Sequence, residues 1–179
     1  DEKTREYYAL HGREEGYKCL KAGDGAYYDR AIVINLSKVE PMIALPFHPS
    51  NAYTIKDFLS RPEELLKECE EKGKKLLPAD KCNFRLTDKI IDGKVYATQG
   101  VIAGCAGGMY ENIAVASNII GDTPVNNAEF TLDIYPSSQP VYKGLVDNGY
   151  IGKLMEDGAV VKTAFCGPCF GAGDTPQNR

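Results

Sequence analysis

The sequence has no long apolar run and no cluster of basic residues. Its longest apolar stretch, "VIAGCAGGM", is far shorter than the ~20 residues that a transmembrane helix needs. Lysine and arginine total 21 against 25 aspartates and glutamates, which gives a net charge of −4. We therefore expect neither a membrane nor a nucleic acid as a partner.

The sequence also lacks an initiator methionine and a signal peptide. It opens on the charged stretch "DEKTREYYALHGRE" and stops at "DTPQNR" without a closing element, so we predict that it is a fragment of a larger protein. Six cysteines without an export signal favour reduced thiols and a cytoplasmic location. Three of them, Cys19, Cys69 and Cys82, are expected to be small apolar or bystander residues, the first two in helices.

The composition, 43% hydrophobic and 26% charged over 179 residues, is that of a folded domain with a core. The first 98 residues combine helix, strand and loop patterns in no regular order. The patterns predict a helical region over 2–22 that is interrupted near Gly12 and Gly16, and a strand at 31–36. They also predict an extended proline-rich loop over 40–51, a surface helix over 62–77 and a hairpin around Asp92-Gly93.

The second half of the sequence alternates regularly between strand and helix patterns. Strands are predicted at 95–104, 129–136 and 159–165, and helices at 108–121 and 139–158, the latter broken near Gly149. This β-α-β-α-β order predicts an α/β fold with a parallel sheet that helices cover.

Three cysteines fall at the ends of these strands. Cys105 follows the first strand, and the "FCGPCFGAGD" stretch places Cys166 and Cys169 after the last. Ligands gather outside the carboxyl ends of parallel strands, so three thiols are expected at one edge of the sheet. This arrangement is typical of a metal site. The glycines of "AGCAGGMYEN" could instead cradle a phosphate, but they match no phosphate-binding pattern.

The residues leave three kinds of thiol site open. A redox dithiol normally opens a helix, whereas "FGAGDTP" after Cys169 holds two glycines and a proline. A structural zinc site needs four ligands; only one Cys-x-x-Cys pair exists, His11 and His48 are remote, and Cys82 is the candidate fourth ligand. Three cysteines also suit an iron–sulfur cluster whose fourth iron is free to bind substrate as a Lewis acid.

Three segments resemble the aconitase and isopropylmalate dehydratase family of hydro-lyases. "YYDRAIVINLSKVEPMIALPFHPSN" (27–51) is similar to a strand and proline-rich loop of that family. "GVIAGCAGGMYENIAVAS" (100–117) is similar to its first cluster-cysteine segment, and "GAVVKTAFCGPCFGAGD" (158–174) to its second. The resemblance covers most of residues 27–174, and the lone cysteine with a distant Cys-Gly-Pro-Cys is its most specific element.

The resemblance implies that Cys105, Cys166 and Cys169 bind a [4Fe-4S] cluster. It implies a three-layer α/β/α domain with a mostly parallel sheet over 27–179, preceded by a helical lead-in over 1–26. The reaction implied is reversible dehydration of a hydroxy di- or tricarboxylic acid. The catalytic residues are then expected in missing domains, so no catalytic residue is assigned here, and the isolated fragment is expected to be inactive with a fragile cluster.

The sequence departs from the family at the first cysteine. Family members commonly have Cys-Thr-Asn-Ser there, whereas this chain has Cys105-Ala106-Gly107-Gly108. The loss of polar side chains argues against citrate as the substrate and indicates a divergent branch. It leaves open a relative that has lost activity and binds RNA or another partner, although no basic cluster supports RNA binding. The small residues suit a sharp turn, and Asn112 either faces the cluster or is a surface amide.

Overall fold

The computed structural model of the chain describes residues 1–125 and 129–174. The chain falls into two compact units, Asp1–Glu40 and Pro41–Arg179. In the described part of the chain, no helix is both long and apolar enough to cross a membrane.

The first unit contains helix α1 (Glu2–Leu10) and two short 3-10 turns, Glu14–Gly16 and Leu36–Lys38. The helical region predicted over 2–22 is interrupted at Gly12, as expected, but beyond it only the 3-10 turn Glu14–Gly16 forms. No residue of α1 is buried and Gly12 has φ +64°, so neither burial nor backbone conformation extends the helix. The helical placement of Cys19 was also wrong, because this residue lies in irregular chain and is exposed.

The predicted strand at 31–36 does not form. This segment is apolar and β-prone, yet Ile32 and Val33 are 87% and 93% exposed. A strand exists only when its backbone pairs with a neighbour. Among the described residues, no strand pairs with this segment.

The second unit begins with strands β1 (Met42–Ala44) and β2 (Ala52–Thr54), which pair antiparallel. The predicted extended loop over 40–51 was thus partly wrong. Its prolines flank β1 instead of interrupting it, so the strand keeps its backbone donors. Helices α2 (Ile55–Ser60) and α3 (Pro62–Leu76) follow, and α3 confirms the predicted surface helix. Their apolar faces bury Phe58, Leu65 and Cys69 in a first core cluster.

The hairpin around Asp92-Gly93 is confirmed. Strands β3 (Ile90–Ile91) and β4 (Lys94–Val95) pair antiparallel, with the two turn residues at positive φ. Two 3-10 turns, Ala79–Lys81 and Leu86–Lys89, connect α3 to this hairpin.

A three-stranded parallel sheet dominates the rest of the unit, and the predicted α/β fold is confirmed. Strand β6 lies in the middle and pairs with β5 on one side and β7 on the other. The helix break near Gly149 is also confirmed. The elements of this region are β5 (Gln99–Ile102), α4 (Gly104–Gly107), α5 (Tyr110–Ile120), β6 (Thr131–Ile134), α6 (Gln139–Asp147), α7 (Tyr150–Glu156) and β7 (Val160–Val161).

The core of this sheet lies on one face of β6. Leu132 and Ile134 point to that face and pack with Ile113 of α5, Leu145 of α6 and Leu154 of α7. Burial of each such side chain contributes about 1.5–3 kcal/mol, so these contacts hold the helices on the sheet. Asp133 lies between the two apolar residues and faces the opposite side.

Helix α7 offers a direct test of this core, because two adjacent residues differ in burial. Leu154 is fully buried and Met155 is 60% exposed. We expect Leu154→Ala to lower the free energy of unfolding by about 2–5 kcal/mol, since it leaves a cavity. The control, Met155→Ala, should change it by about 0.5 kcal/mol or less. Urea denaturation followed by circular dichroism measures both, and equal losses would contradict the packing described.

Candidate metal-binding site

The three parallel strands end level with one another. Ile102 of β5 is in register with Ile134 of β6, and Ile134 is in register with Val161 of β7. The loops that follow the strands therefore leave the sheet from one edge, side by side. Two of these loops carry the cysteines that the sequence singled out.

The three loops line one cavity of about 210 Å³. The loop after β5 contributes Gly104 and Cys105, the loop after β6 contributes Pro136 and Ser137, and the loop after β7 contributes residues 164–166. The cavity thus has a thiol from the first loop and a thiol from the third on its walls. The prediction that the strand ends bring distant cysteines to one edge is confirmed for Cys105 and Cys166.

Cys105 lies within the one-turn helix α4, not directly before the long helix that the sequence predicted there. Helix α5 begins only at Tyr110, after Gly108 and Met109. The side-chain amide of Asn112 donates a hydrogen bond to the carbonyl oxygen of Ala106 (2.6 Å) and thereby ties α5 to the cysteine turn. Because its amide is bonded to the backbone, Asn112 has a structural role.

Gly108 lets the first two loops approach closely. A Cβ atom at this position would lie 2.3 Å from the carbonyl oxygen of Tyr135 and 2.9 Å from the backbone nitrogen of Ser137. The Ser137 N–H donates to the carbonyl oxygen of Gly108 (2.8 Å). The glycine at 108 therefore serves backbone packing.

The Cys-Gly-Pro-Cys stretch forms a tight turn. Residues Pro168–Phe170 make a single 3-10 turn, and the Gly167 carbonyl accepts from the N–H groups of Phe170 and Ala172. The ring of Phe165 folds over Gly167. No long helix begins at this stretch in the described residues, so a helix dipole that would activate the first thiol of a redox pair is missing.

The third thiol, that of Cys169, lies against the first loop. Its sulfur is 2.8 Å from the place where a Cβ atom on Gly104 would stand, one residue from Cys105. Cys105, Cys166 and Cys169 are all free and exposed. Across residues 1–125 and 129–174, however, no three His, Cys, Asp or Glu side chains are grouped closely enough to hold a metal ion.

The donor set suits an iron–sulfur cluster in chemistry. Thiolates are the ligands that such clusters use, and all three come from loops at one edge beside a cavity. Three sulfur donors also leave one iron without a protein ligand.

The other candidate ligands lie elsewhere. The thiol of Cys82 is 3.3 Å from the carbonyl oxygen of Pro78, at the end of α3, and Cys69 is buried beside Pro46. The imidazole Nδ1 of His48 is 2.7 Å from the hydroxyl of Ser50, and that of His11 is 2.8 Å from the carbonyl oxygen of Tyr7. None of these residues lines the cavity.

The sequence reasoning missed the contribution of the middle strand. Ser137 lines the cavity, and the preceding Tyr135 joins Lys162 and Asp174 in a polar network behind it. The rule that ligands gather at carboxyl ends applies to all three strands, so "YPSS" after β6 was the available signal. The long-range pairing of Lys162 and Asp174 has no signal in the sequence.

Comparison with known proteins identifies the family. The model of the aconitase family (aconitate hydratase) matches residues 1–179, the whole chain. The chain belongs to the aconitase family. The resemblance of the three segments to this family is thereby confirmed.

Curated relatives within the aconitase family agree with this assignment. The chain is 30% identical over 171 residues to a 3-isopropylmalate dehydratase large subunit of Caldicellulosiruptor bescii and over 172 residues to one of Moorella thermoacetica. It is 29% identical to 3-isopropylmalate dehydratase large subunit 1 of Thermotoga maritima. Each match covers 96% of this chain, and the chain spans about a third of each relative's length (32%, 32% and 33%).

Substitution at Gly104 tests the packing of the cysteine loops. Gly104 has φ +84°, and its missing Cβ leaves room for the Cys169 sulfur. We expect Gly104→Ala to destabilise the fold by about 1–2 kcal/mol and to displace the Cys169 thiol, since an L-residue is strained at this φ. Faster alkylation of Cys169, located by mass spectrometry, measures the displacement.

Gly107→Ala is the matched control for this substitution. It lies in the same short helix, has ordinary φ, and a Cβ there meets no atom within 4 Å. We expect it to leave the alkylation rate of Cys169 unchanged. The same increase for both variants would show that the Cys169 thiol does not pack on Gly104.

Proposed function

We propose that this chain is the cluster-binding part of an aconitase-like hydro-lyase. The observation that carries the proposal is the meeting of two distant cysteine loops at one cavity in a chain that the aconitase family covers completely. In the proposal Cys105, Cys166 and Cys169 hold a [4Fe-4S] cluster. The domain assignment, a lead-in over 1–26 and a cluster-binding domain over 27–179, stays part of the same proposal.

The residues of this chain have defined tasks in the proposed site. The three thiols bind and orient the cluster, and the turns at Gly104 and Gly108 bring their loops together. When bound, such a cluster supplies a Lewis-acidic iron that takes the hydroxyl group and a carboxylate of the substrate. Ser137 also lines the cavity, and we assign its hydroxyl group a hydrogen bond to the substrate.

The substrate we propose is a hydroxy di- or tricarboxylic acid. The relatives named 3-isopropylmalate dehydratase make 3-isopropylmalate the first acid to test. The step that moves a proton at the substrate carbon is assigned to domains outside this chain, which supplies no catalytic residue in this proposal. A cytoplasmic location and association with the remaining domains are parts of the proposal as well.

The cluster is tested by anaerobic reconstitution of the full protein with iron and sulfide. We expect four irons and four sulfides per chain and visible charge-transfer absorbance, because three thiolates with one open iron suit a [4Fe-4S] centre. Each of the substitutions Cys105→Ser, Cys166→Ser and Cys169→Ser should abolish or strongly reduce the iron content. Cys19→Ser is the control, since Cys19 is free and exposed but lies outside the cavity lining.

Two results of this experiment would contradict the cluster. Uptake of one zinc with no sulfide would indicate a structural zinc site. Absence of metal together with a reversible Cys166–Cys169 disulfide would indicate a thiol–disulfide oxidoreductase, which the two free, exposed thiols of the turn also permit.

The reaction is tested on the reconstituted full protein with its partner domains or subunits. We expect reversible loss of water from 3-isopropylmalate or a related hydroxy acid, followed by the ultraviolet absorbance of the unsaturated product. Cys105→Ser should reduce the activity to background and Cys19→Ser should not change it. Intact cluster content without activity on any hydroxy acid would identify a member that binds a cluster but has another role.

A further inference from the structure

A polar network lies beneath the cysteine loop, on the face of the sheet opposite the apolar core. The ammonium group of Lys162 is 3.2 Å from Asp133 Oδ1 and also donates to Asp174 Oδ1. The Tyr135 hydroxyl donates to Asp174 Oδ2, and the Gln99 side-chain amide donates to Asp133 Oδ2 (3.1 Å). Gln99 lies in β5, Asp133 lies in β6 and Lys162 directly follows β7, so all three strands contribute to the network.

The charges of the network are largely removed from water. The side chains of Asp133, Asp174 and Lys162 are 8%, 17% and 32% exposed. The two carboxylates therefore share the partly buried ammonium group of Lys162. Breaking a buried pair on one side leaves an unpaired charge, which is strongly unfavourable. The hydrogen bonds from Lys162 and Tyr135 lower the pKa of Asp174. The Asp174 carboxylate is therefore an ionised partner and not a spare acid.

The two ends of the cysteine loop meet in this network. The chain leaves β7 at Lys162 and returns at Asp174, 12 residues later, with Cys166 and Cys169 between them. The bond from Tyr135 to Asp174 also fastens the returning end to the middle strand, 39 residues away in sequence. The loop is closed at its base, which reduces the conformations that its two cysteines can sample.

Aromatic packing connects the polar network to the two cysteines. The rings of Tyr135 and Phe165 lie with centroids 6.5 Å apart, and the Phe165 ring covers Gly167 between the two thiols. The ammonium group of Lys162 lies 5.4 Å from the centre of the Tyr135 ring. The network and the Cys-Gly-Pro-Cys turn are thus in contact through a single aromatic side chain.

We propose that Lys162, Asp174 and Tyr135 are positioning residues that close the base of the 162–174 loop. They hold Cys166 at the cavity that Cys105 lines and Cys169 against Gly104. This inference rests on the proposed function, because its purpose is to prepare the thiols for a cluster. Asp133 and Gln99 fix the Lys162 ammonium group from the sheet side.

The test uses the full protein with Asp174→Asn and Tyr135→Phe, which keep the shapes of the side chains and remove a charge or a hydroxyl donor. In the protein without metal, dibromobimane bridges thiols that lie close together, and mass spectrometry identifies the bridged pairs. We expect both variants to slow the bridging of Cys105 to Cys166 or Cys169. After reconstitution, competition with a chelator should show about 10- to 100-fold weaker retention of iron.

The control removes an ion pair that does not touch the loop. Lys143 and Asp147 form an exposed pair on α6, with side chains 75% and 56% exposed, so Asp147→Asn should change neither bridging nor iron retention. The double variant Lys162→Met with Asp174→Asn should lose less iron retention than the two single variants lose in sum, since the two side chains act as one pair.

The outcomes separate this inference from the proposed function. If the unsubstituted protein takes up no iron and sulfide, the proposed function fails, while thiol bridging still decides whether the network positions the loop. Bridging at the unsubstituted rate in both variants would overturn the inference even if a cluster forms. Loss of the far-ultraviolet circular dichroism signal in both variants would assign the network to the general core and would also overturn it.

Discussion

The pairing of β6 with a parallel strand on each side is the constraint on which the site depends. Hydrogen bonds in a parallel ladder fix the register, and the register here sets Ile102, Ile134 and Val161 level with one another. The next residues of all three strands therefore begin their loops at one height. Cysteines that are 61 residues apart in sequence reach the same cavity because this alignment starts their loops side by side.

The alternation of polar and apolar residues along β6 gives the two faces of the sheet different roles. Leu132 and Ile134 pack with α5, α6 and α7, which stabilises the fold. Asp133 faces the other way and accepts from Lys162, so the strand that holds the core together also anchors the polar network under the cysteine loop. Stability and loop position are thus carried by adjacent residues of one strand.

Much of the parallel-sheet region could be predicted because its signals are local. The apolar strands, the helix break at Gly149 and the turn at Asp92-Gly93 all follow from residue types within a few positions. The segment 31–36 shows the limit of this reasoning, since a β-prone sequence states a preference but does not supply a partner strand. Strand β1, placed between prolines, shows the reverse case, where a partner overrides a sequence typical of a loop.

The site shows the same division between local and long-range information. The cysteines and their edge of the sheet could be predicted from strand order, whereas Tyr135, Lys162 and Asp174 are 12 to 39 residues apart and meet only in the folded chain. No periodicity or motif marks such a group.

The close contact at Gly108 has a consequence for how this branch of the family can change. A side chain at this position would collide with the backbone of the loop after β6, at the carbonyl oxygen of Tyr135. A side chain cannot be introduced at the end of the Cys105 turn without shifting that second loop. The glycine at 108 and the path of residues 135–137 are therefore one steric constraint.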